Sequence, residues 1–405
     1  MTDKKSQLGI ILLTIFIDMV GFGIVIPVLP LYAQHFGASS VTNGFLVGIY
    51  SAVQFIVSPL IGKLSDRVGR RPVLIFSVLG TAIGFALMGA ATTVAMLFVA
   101  RIIDGVSGGN IGTAQAYIAD ITTPEERSGA MGFIGAAFGL GFIFGPAIGG
   151  LLSGHFGYSA PFYFAAALAL FNALLIYLRL PESLDAEHRA HPAHRQRIVE
   201  VLQHSQRSTF TTVIAIYFFL ITGFSIMTAL YALFMHNRFG LDARHTGYIF
   251  AFIGIIGVLI QGGMIRRLVP KYGERKLAAV GAFVLAVSLF VLPFSSGMAV
   301  LLVASGGIAV GNSFLTPTIN GLLSRSVDKR WQGRALGLMQ SSGSLGRAVG
   351  PALAGWLATM DLAERYGHTP FFVSGTLLVV AFVLVLTLFR ASHEPLSEAV
   401  EPSRA

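Results

Sequence analysis

The chain of 405 residues contains no cysteine, and only 12% of its residues are charged. Without cysteine, a disulfide framework, thiol chemistry and a cysteine metal site are excluded. So little charge, beside 54% hydrophobic residues and a mean hydropathy of +0.73, excludes a soluble domain of this length. The sequence also lacks a nucleotide-binding loop and an HExxH metal-binding pair. We therefore expect a membrane protein that is not an enzyme.

Apolar runs long enough to cross a bilayer recur along the whole chain. They are longer than the alternating strands of about 10 residues that build membrane barrels, so they predict helices. Lys4 and Lys5 precede the first run as in a signal peptide, but this run exceeds the usual apolar core of about 7–15 residues. The predicted fold class is an all-α polytopic membrane protein. Its twelve transmembrane helices are expected at residues 8–33, 44–62, 72–90, 94–119, 129–153, 160–180, 209–234, 246–264, 277–294, 298–322, 333–358 and 370–389.

Basic residues fall mainly on one side of these predicted helices. Of the 28 Lys and Arg residues, Arg238, Arg244 and Arg365 lie in loops of one set, and Arg101 and Arg347 lie inside helices. The other 23 belong to the second set of loops and the termini, so the positive-inside rule predicts that both termini are cytoplasmic. The net charge of +9 then reflects topology, and no nucleic-acid partner is expected.

Short motifs of the first half of the chain return in the second. The Phe-Gly pair at 36–37 returns at 239–240, and the Gly-Pro pair at 145–146 returns at 350–351. This repetition predicts two pseudo-symmetric six-helix bundles. Parallel bundles that rock about a central site are the physical basis of alternating access.

The repeat defines the expected domain organisation, which has four parts. The bundles are expected at residues 1–180 and 209–390, joined by a cytoplasmic linker at 181–208 and followed by a cytoplasmic tail at 391–405. The histidines of the linker are interpreted as part of a solvated segment, because no partner ligands for a metal accompany them. A sensor would need a larger soluble output domain than the linker or the tail provides.

A charged segment at residues 62–71 separates the second and third predicted helices. Its charges cannot lie in hydrocarbon, so it must be a short aqueous loop, in which Gly62 and Gly69 let two helix ends approach closely. A degraded version recurs at residues 263–276.

Four segments together resemble the major facilitator superfamily. Residues 62–71 resemble its loop signature, 101–109 its helix-four RxxxGxxxG stretch, 141–150 the antiporter signature of helix five, and 18–23 the first-helix signature of drug exporters. The resemblance covers essentially the whole chain. Within the superfamily, the chain resembles the twelve-helix drug:proton antiporters, most closely the bacterial tetracycline exporters.

This resemblance implies export of a small amphipathic compound through the bacterial inner membrane. The exporter would be driven by protons and need no cofactor or metal. Because the two halves can complete the translocation path within one chain, we also expect it to function as a monomer in the lipid bilayer. An uptake symporter or facilitator with the same fold remains an alternative. Transport with and without a pH gradient distinguishes the two.

Three ionisable residues inside the predicted helices are the candidates for proton coupling. Asp18 lies midway along the first helix, where a charge costs about 2.5–3.5 kcal/mol, so it is expected to face the protein interior and to exchange a proton. Arg101 and Asp104 lie three residues apart and so share a helix face, where either a structural ion pair or a functional one fits. The resemblance associates Arg101 with proton coupling.

The chain departs from the tetracycline exporters it resembles at two acidic positions. Those exporters usually carry further aspartates in helices three and nine, where Gly84 and Leu285 stand here. Tetracycline bound to magnesium is therefore a doubtful substrate. Asp104 is a candidate to replace the missing acid, but pairing with Arg101 also accounts for it.

The resemblance assigns a conformational latch to the loop signature and the end of helix four. Asp66, between Gly62 and Gly69, would lie near Gly333 at the start of helix eleven, and Arg70 would reach Asp120. The latch would hold the outward-facing state. If the charges only enforce topology, Asp66 has no explanation.

Helix five carries small residues at helical spacing, and polar residues are scattered through the other helices. The small face, which is expected to pack between the halves, consists of Gly141, Gly145, Gly149 and Gly150 with Pro146. Each polar residue either contacts the substrate or joins neighbouring helices, and these are Gln54, Asn110, Gln115, Gln261, Asn312, Asn320 and Gln340. Arg347 requires an acid or a water-filled cavity that the sequence does not identify.

Overall fold

The structure is a computed structural model that describes residues 4–184, 205–327, 331–362 and 366–390. These ranges are helical almost throughout, which confirms the predicted fold class. Within these ranges, ten helices are long and apolar enough to cross a membrane, and two more, α5 and α11, occupy the positions of predicted helices five and eleven. The helices are α1 Lys4–His35, α2 Ser40–Val68, α3 Arg70–Gly89, α4 Val94–Ile121, α5 Pro124–Phe156, α6 Ser159–Arg179, α7 Arg207–Phe239, α8 Ala243–Tyr272, α9 Glu274–Phe294, α10 Met298–Arg325, α11 Gln332–Leu357 and α12 His368–Arg390.

The predicted division into domains falls partly outside the described residues. Most of the expected linker and all of the expected tail lie there, so the domain boundaries stay predictions. Within the described ranges, α1 to α6 form one set of packed helices and α7 to α12 another. The sets meet along α2 with α11, α5 with α8, and α1 with α7.

Several helix ends are set by capping side chains and by glycines, and not only by where the apolar run stops. Ser39 and Asp242 cap α2 and α8, since each side chain accepts a hydrogen bond from the backbone N–H three residues later. The repeated Phe-Gly pair follows α1 and ends α7 with a left-handed glycine, Gly37 at φ 80° and Gly240 at φ 66°. A glycine adopts this conformation without a steric penalty, so the repeated motif marks equivalent helix ends.

Two helices are irregular within the membrane. The regular part of α4 stops at Ser107 and resumes at Asn110, with Gly108 and Gly109 between. The middle of α8 winds as a π-helix over Ile260–Met264. Such irregular backbone is tolerated at membrane depth where it is buried in protein or lines a cavity.

The two halves touch closely at one end of the molecule, where α1 and α7 finish. A Cβ atom on Gly48 of α2 would lie 2.8 Å from the carbonyl oxygen of Ala348 in α11. On the other side, a Cβ on Gly247 of α8 would lie 2.6 Å from the carbonyl oxygen of Pro146 in α5. These helix backbones are in direct contact, so only glycine fits and the end is closed.

The opposite end, which carries the loop signature and most of the basic residues, is open between the halves. We call it the basic end. Glycines of α2, α4, α8 and α11 in this half of the bundle have no neighbouring atom within 4 Å of a Cβ, and these are Gly62, Gly112, Gly262, Gly263 and Gly337. Together with the close contacts at the other end, these uncovered faces indicate a space between the halves that opens at the basic end.

Labelling introduced cysteines tests this asymmetry in a chain without native cysteine. We expect Cys at Gly62 and Gly337 to react rapidly with a water-soluble maleimide, because both positions border open space. The matched control is Ser51→Cys, whose side chain is buried on the same helix α2 as Gly62. Equal labelling rates at Gly62 and Ser51 would contradict the open end.

Candidate functional site

A buried carboxyl group lies at the centre of the first half. Asp18 of α1 accepts through Oδ2 a hydrogen bond from Nδ2 of Asn110 at 2.5 Å. Asn110 is the first residue after the break in α4, so the break sets the position of the donor. The second oxygen, Oδ1, is buried without a hydrogen-bond partner among the described residues. A proton or a water molecule can bind at this oxygen atom.

An ion pair is buried one turn before the break. Nη1 of Arg101 lies 3.0 Å from Oδ2 of Asp104, and the two side chains are 2% and 6% exposed. The guanidinium also lies 4.4 Å above the ring of Tyr50 from α2, a distance at which a cation and an aromatic face attract each other. The predicted pairing of Arg101 with Asp104 is therefore present, and Tyr50 is a third member that the sequence did not indicate.

One small cavity connects the carboxyl group with the ion pair. It measures about 20 Å³, enough for a single water molecule, and Asp18, Tyr50, Thr81, Asp104 and Asn110 contribute to its walls. The structure thus brings Asp18 and Asp104 to one polar space. Their carboxyl groups reach it from different helices, which sequence spacing alone did not reveal.

The break in α4 is held by side chains from α2. Gln54 donates from Nε2 to the carbonyl oxygen of Gly108 at 2.5 Å, so one carbonyl at the break has a partner. A Cβ on Gly108 would lie 2.6 Å from Oη of Tyr50, which explains why glycine stands at this position. Gln54, predicted as a substrate contact, is engaged with the protein in this conformation.

The same stretch matches the spacing of a GxSxG nucleophile motif over residues 105–109. That motif requires a sharp turn from a strand into a helix. Ser107 instead ends a regular helix, where its hydroxyl donates to the carbonyl oxygen of Ile103 at 2.9 Å. The match is therefore a packing motif and does not indicate a hydrolase.

The two positions without the expected acids lie in tight surroundings. A Cβ on Gly84 would lie 2.9 Å from Cβ of Asp104 and 3.1 Å from the carbonyl oxygen of Ala100. An acid at position 84 would therefore need α3 and α4 to move apart. Asp104 lies directly against that position, whereas Leu285 is 1% exposed in the apolar core of the second half.

The loop signature forms a polar network at the basic end. Arg70 contacts Asp66 through Nη1 at 2.6 Å and Asp120 through Nε at 3.2 Å. The predicted reach of Arg70 to Asp120 is thus present in the geometry. Gly333, the other predicted neighbour of Asp66, lies among residues whose contacts are outside the described part, so that contact stays a prediction.

Sequence reasoning missed two residues of this network. Glu182, just after α6, accepts hydrogen bonds from the backbone N–H groups of Arg70 at 2.8 Å and Arg71 at 3.1 Å. It therefore caps the start of α3, a position that favours a negative charge. Ser183 donates to Oδ2 of Asp120 at 2.9 Å. The sequence signal for both residues was local, a Pro-Glu-Ser segment after an apolar helix. Their partners are distant along the chain, more than 100 residues away for Glu182 and 63 residues away for Ser183.

The second half contains a counterpart with reversed charges. Glu274 begins α9 as Arg70 begins α3, and Arg325 ends α10 near the position equivalent to Asp120. Nη2 of Arg325 lies 3.2 Å from Oε1 of Glu274, which is 10% exposed. The degraded second loop signature therefore keeps an ion pair although its sequence has changed.

The glycines of α5 require a correction. They were expected to pack between the halves, but three of the four contact α1 of their own half. A Cβ on Gly145 would lie 2.6 Å from Cα of Gly23, and Gly141 and Gly149 meet Met19 and Ile24 in the same way. Of these four glycines, only Gly150 faces the other half, where its Cβ would lie 2.7 Å from the carbonyl oxygen of Ala243 in α8. The error arose because spacing defines a face but not the helix that covers it.

The remaining polar candidates lie mostly in the second half. Gln340 of α11 accepts a hydrogen bond from Tyr217 at 3.3 Å, Gln261 donates to Ser313 at 3.4 Å, and Asn312 accepts from Thr316 at 3.1 Å. Gln115 and Asn320 are partly buried. Their contact with a substrate stays a prediction.

The two half-bundles, the space open at one end and the buried carboxyl group define a secondary transporter. The chain belongs to the Major Facilitator Superfamily, whose family model matches residues 11–271 and 264–404. It is 32% identical over 388 residues to multidrug resistance protein 2 of Bacillus subtilis, with 95% of each chain covered. It is 33% identical over 384 residues to the class E tetracycline resistance protein of Escherichia coli, covering 92% of this chain and 93% of that protein.

A solved structure supports the fold. A bacterial homolog of the human lysosomal transporter Spinster, described in an inward-facing and occupied conformation, superposes with a TM-score of 0.78 at 15% identity. The match covers 95% of this chain and 96% of the other. At this identity the likeness concerns the fold alone.

Removing the acid of the buried ion pair is expected to destabilise the protein. Asp104→Asn should lower the free energy of unfolding by about 3–5 kcal/mol, because it leaves Arg101 charged and unpaired. The matched control is Arg101→Met with Asp104→Leu, which removes both charges and should recover most of the loss. Thermal unfolding in detergent measures both variants, and equal destabilisation by the single and the double change would contradict an ion-pair role.

Removing the carboxylate that caps α3 is expected to loosen the loop signature. Glu182→Ala should cost about 1 kcal/mol of stability, because two backbone N–H groups lose their acceptor. Glu182→Gln keeps an acceptor and should cost less. Hydrogen exchange at the start of α3 measures the effect directly; unchanged protection of the amides of Arg70 and Arg71 in Glu182→Ala would overturn the assignment.

Proposed function

We propose that this protein exports small amphipathic, drug-like compounds across the bacterial cytoplasmic membrane in exchange for protons. Two curated relatives with a resistance function, each more than 30% identical over nearly the whole chain, support this direction of transport. The basic end is proposed to be cytoplasmic, because 23 of the 28 Lys and Arg residues belong to that side or to the termini. The open space then faces the cytoplasm, where an exporter loads its substrate.

The observation that carries proton coupling is the unpartnered oxygen of Asp18. A carboxyl group in hydrocarbon is costly, and this one has no ionic partner among the described residues. Its single bond to Asn110 depends on the broken helix α4, which also carries Arg101 and Asp104. A movement of α4 against α1 would change the contacts of Asp18. The affinity of its carboxyl group for a proton would change as a result.

Coupling follows if the proton and the substrate favour different states. The substrate loads while the basic end is open, and a proton enters when the other end opens. Each ligand shifts the equilibrium only by its difference in affinity between the two states. The cavity near Asp18 has room for about one water molecule, so it suits a proton better than the substrate, which requires the larger space between the halves.

We propose that the network around Arg70 sets the balance between these states. It joins the end of α2, the start of α3 and the end of α4 by charged contacts at the basic end. In the other state, Asp66 would exchange its partner for the start of α11, as the family resemblance implies. The whole path lies within one chain, which supports function as a monomer.

Replacing the proposed proton carrier tests the function. Asp18→Asn should abolish efflux driven by a pH gradient, because an amide side chain cannot bind and release a proton at physiological pH. Exchange of substrate down its own gradient should continue. The matched control is Asp242→Asn, which removes an exposed acid at the opposite end. Uptake of a fluorescent compound into everted vesicles measures both. Gradient-driven transport that survives in Asp18→Asn would refute the coupling role.

A further inference from the structure

Arg347 of α11 is a charged residue at membrane depth that proton coupling leaves without a role. It lies partly buried about midway along a helix of 26 residues. Its guanidinium donates from Nη2 to the hydroxyl of Ser344 at 2.9 Å. Among the described residues, no carboxylate lies within ion-pair distance of it. An ionisable residue in this position marks a functional site by default.

The helices of the second half do not supply a partner for this charge. The helices α7, α8, α10, α11 and α12 contain no aspartate or glutamate, and the acid of α9, Glu274, stands at its first residue and pairs with Arg325. The acids at membrane depth, Asp18 and Asp104, belong to the first half and are bonded to Asn110 and Arg101. The counter-charge for Arg347 therefore does not come from a helix of its own half.

The guanidinium lies beside the contact of α11 with Tyr217 of α7. Nη1 lies 3.4 Å from the position of a Cβ on Gly343, so the side chain runs back along α11 toward the open basic end. On the facing half, Tyr50 is within electrostatic range of Arg347. Two turns before Arg347 on α11, exposed Gln340 accepts a hydrogen bond from the hydroxyl of Tyr217.

We propose that Arg347, with Ser344 and Gln340, binds an anionic group of the transported compound, such as a carboxylate or a sulfonate. A guanidinium offers several N–H donors in a plane, and their arrangement matches the oxygen atoms of such a group. The partly buried ring of Tyr50 on the facing half would contact the apolar body of the same molecule. One part of this inference rests on the proposed function, namely that the compound bound at Arg347 is the one transported.

Two dyes that differ in one group provide the test. Anilinonaphthalenesulfonate carries a sulfonate, and phenylnaphthylamine has the same rings without it. Equilibrium binding is measured by competition on purified protein in detergent, without any gradient, so the result does not depend on proton coupling. We expect Arg347→Gln to weaken binding of the sulfonate dye about tenfold or more and to leave the neutral dye unchanged.

Two further variants complete the design. Arg347→Lys keeps the charge and should retain part of the affinity for the sulfonate dye. Arg267→Gln removes an exposed arginine of α8 and should change neither dye. Equal losses for both dyes in Arg347→Gln would overturn the proposal in favour of a packing or ion-pairing role. No binding of the sulfonate dye to the unsubstituted protein, or no loss in Arg347→Gln, would also overturn it.

Discussion

Charge inside hydrocarbon is the constraint on which the rest of this structure depends. The first half holds Asp18, Arg101 and Asp104 at membrane depth, and each must have polar contacts that compensate for lost water. Breaking α4 at two glycines provides some of these contacts, because it turns Asn110 toward Asp18 and lets Tyr50 approach Arg101. The irregular backbone and the buried charges therefore require each other.

The two halves share a fold but divide the chemistry. The first half carries both membrane acids and the charge network of the loop signature. The second half keeps the repeated helix ends and the ion pair of Glu274 with Arg325, and among its described residues Arg347 is the charge at membrane depth. We interpret this division as a proton site in one half and a substrate contact in the other, with the open space between them as the link.

The sequence predicted the fold closely, because long apolar runs and basic loops follow directly from the properties of a bilayer. It also located Asp18 inside a membrane helix, since a charge in an apolar run stands out. It placed Arg101 and Asp104 together because residues three apart share one helix face. It did not indicate Tyr50 or Glu182, because an aromatic residue in a membrane helix is ordinary and the partners of Glu182 are distant along the chain. The prediction that the α5 glycines pack between the halves failed for a related reason. A sequence shows which residues share a helix face, but not which helix covers that face.

Movement of protons against substrate is the central claim, and counterflow in sealed vesicles tests it most directly. The purified protein is reconstituted with a pH-sensitive dye inside, and a gradient of a transported compound is imposed with no initial pH difference or voltage. The account predicts that the compound moving down its gradient drives protons the opposite way, so that the internal pH changes and then recovers as the gradient decays. Movement of the compound at the same rate with no change in internal pH would contradict it.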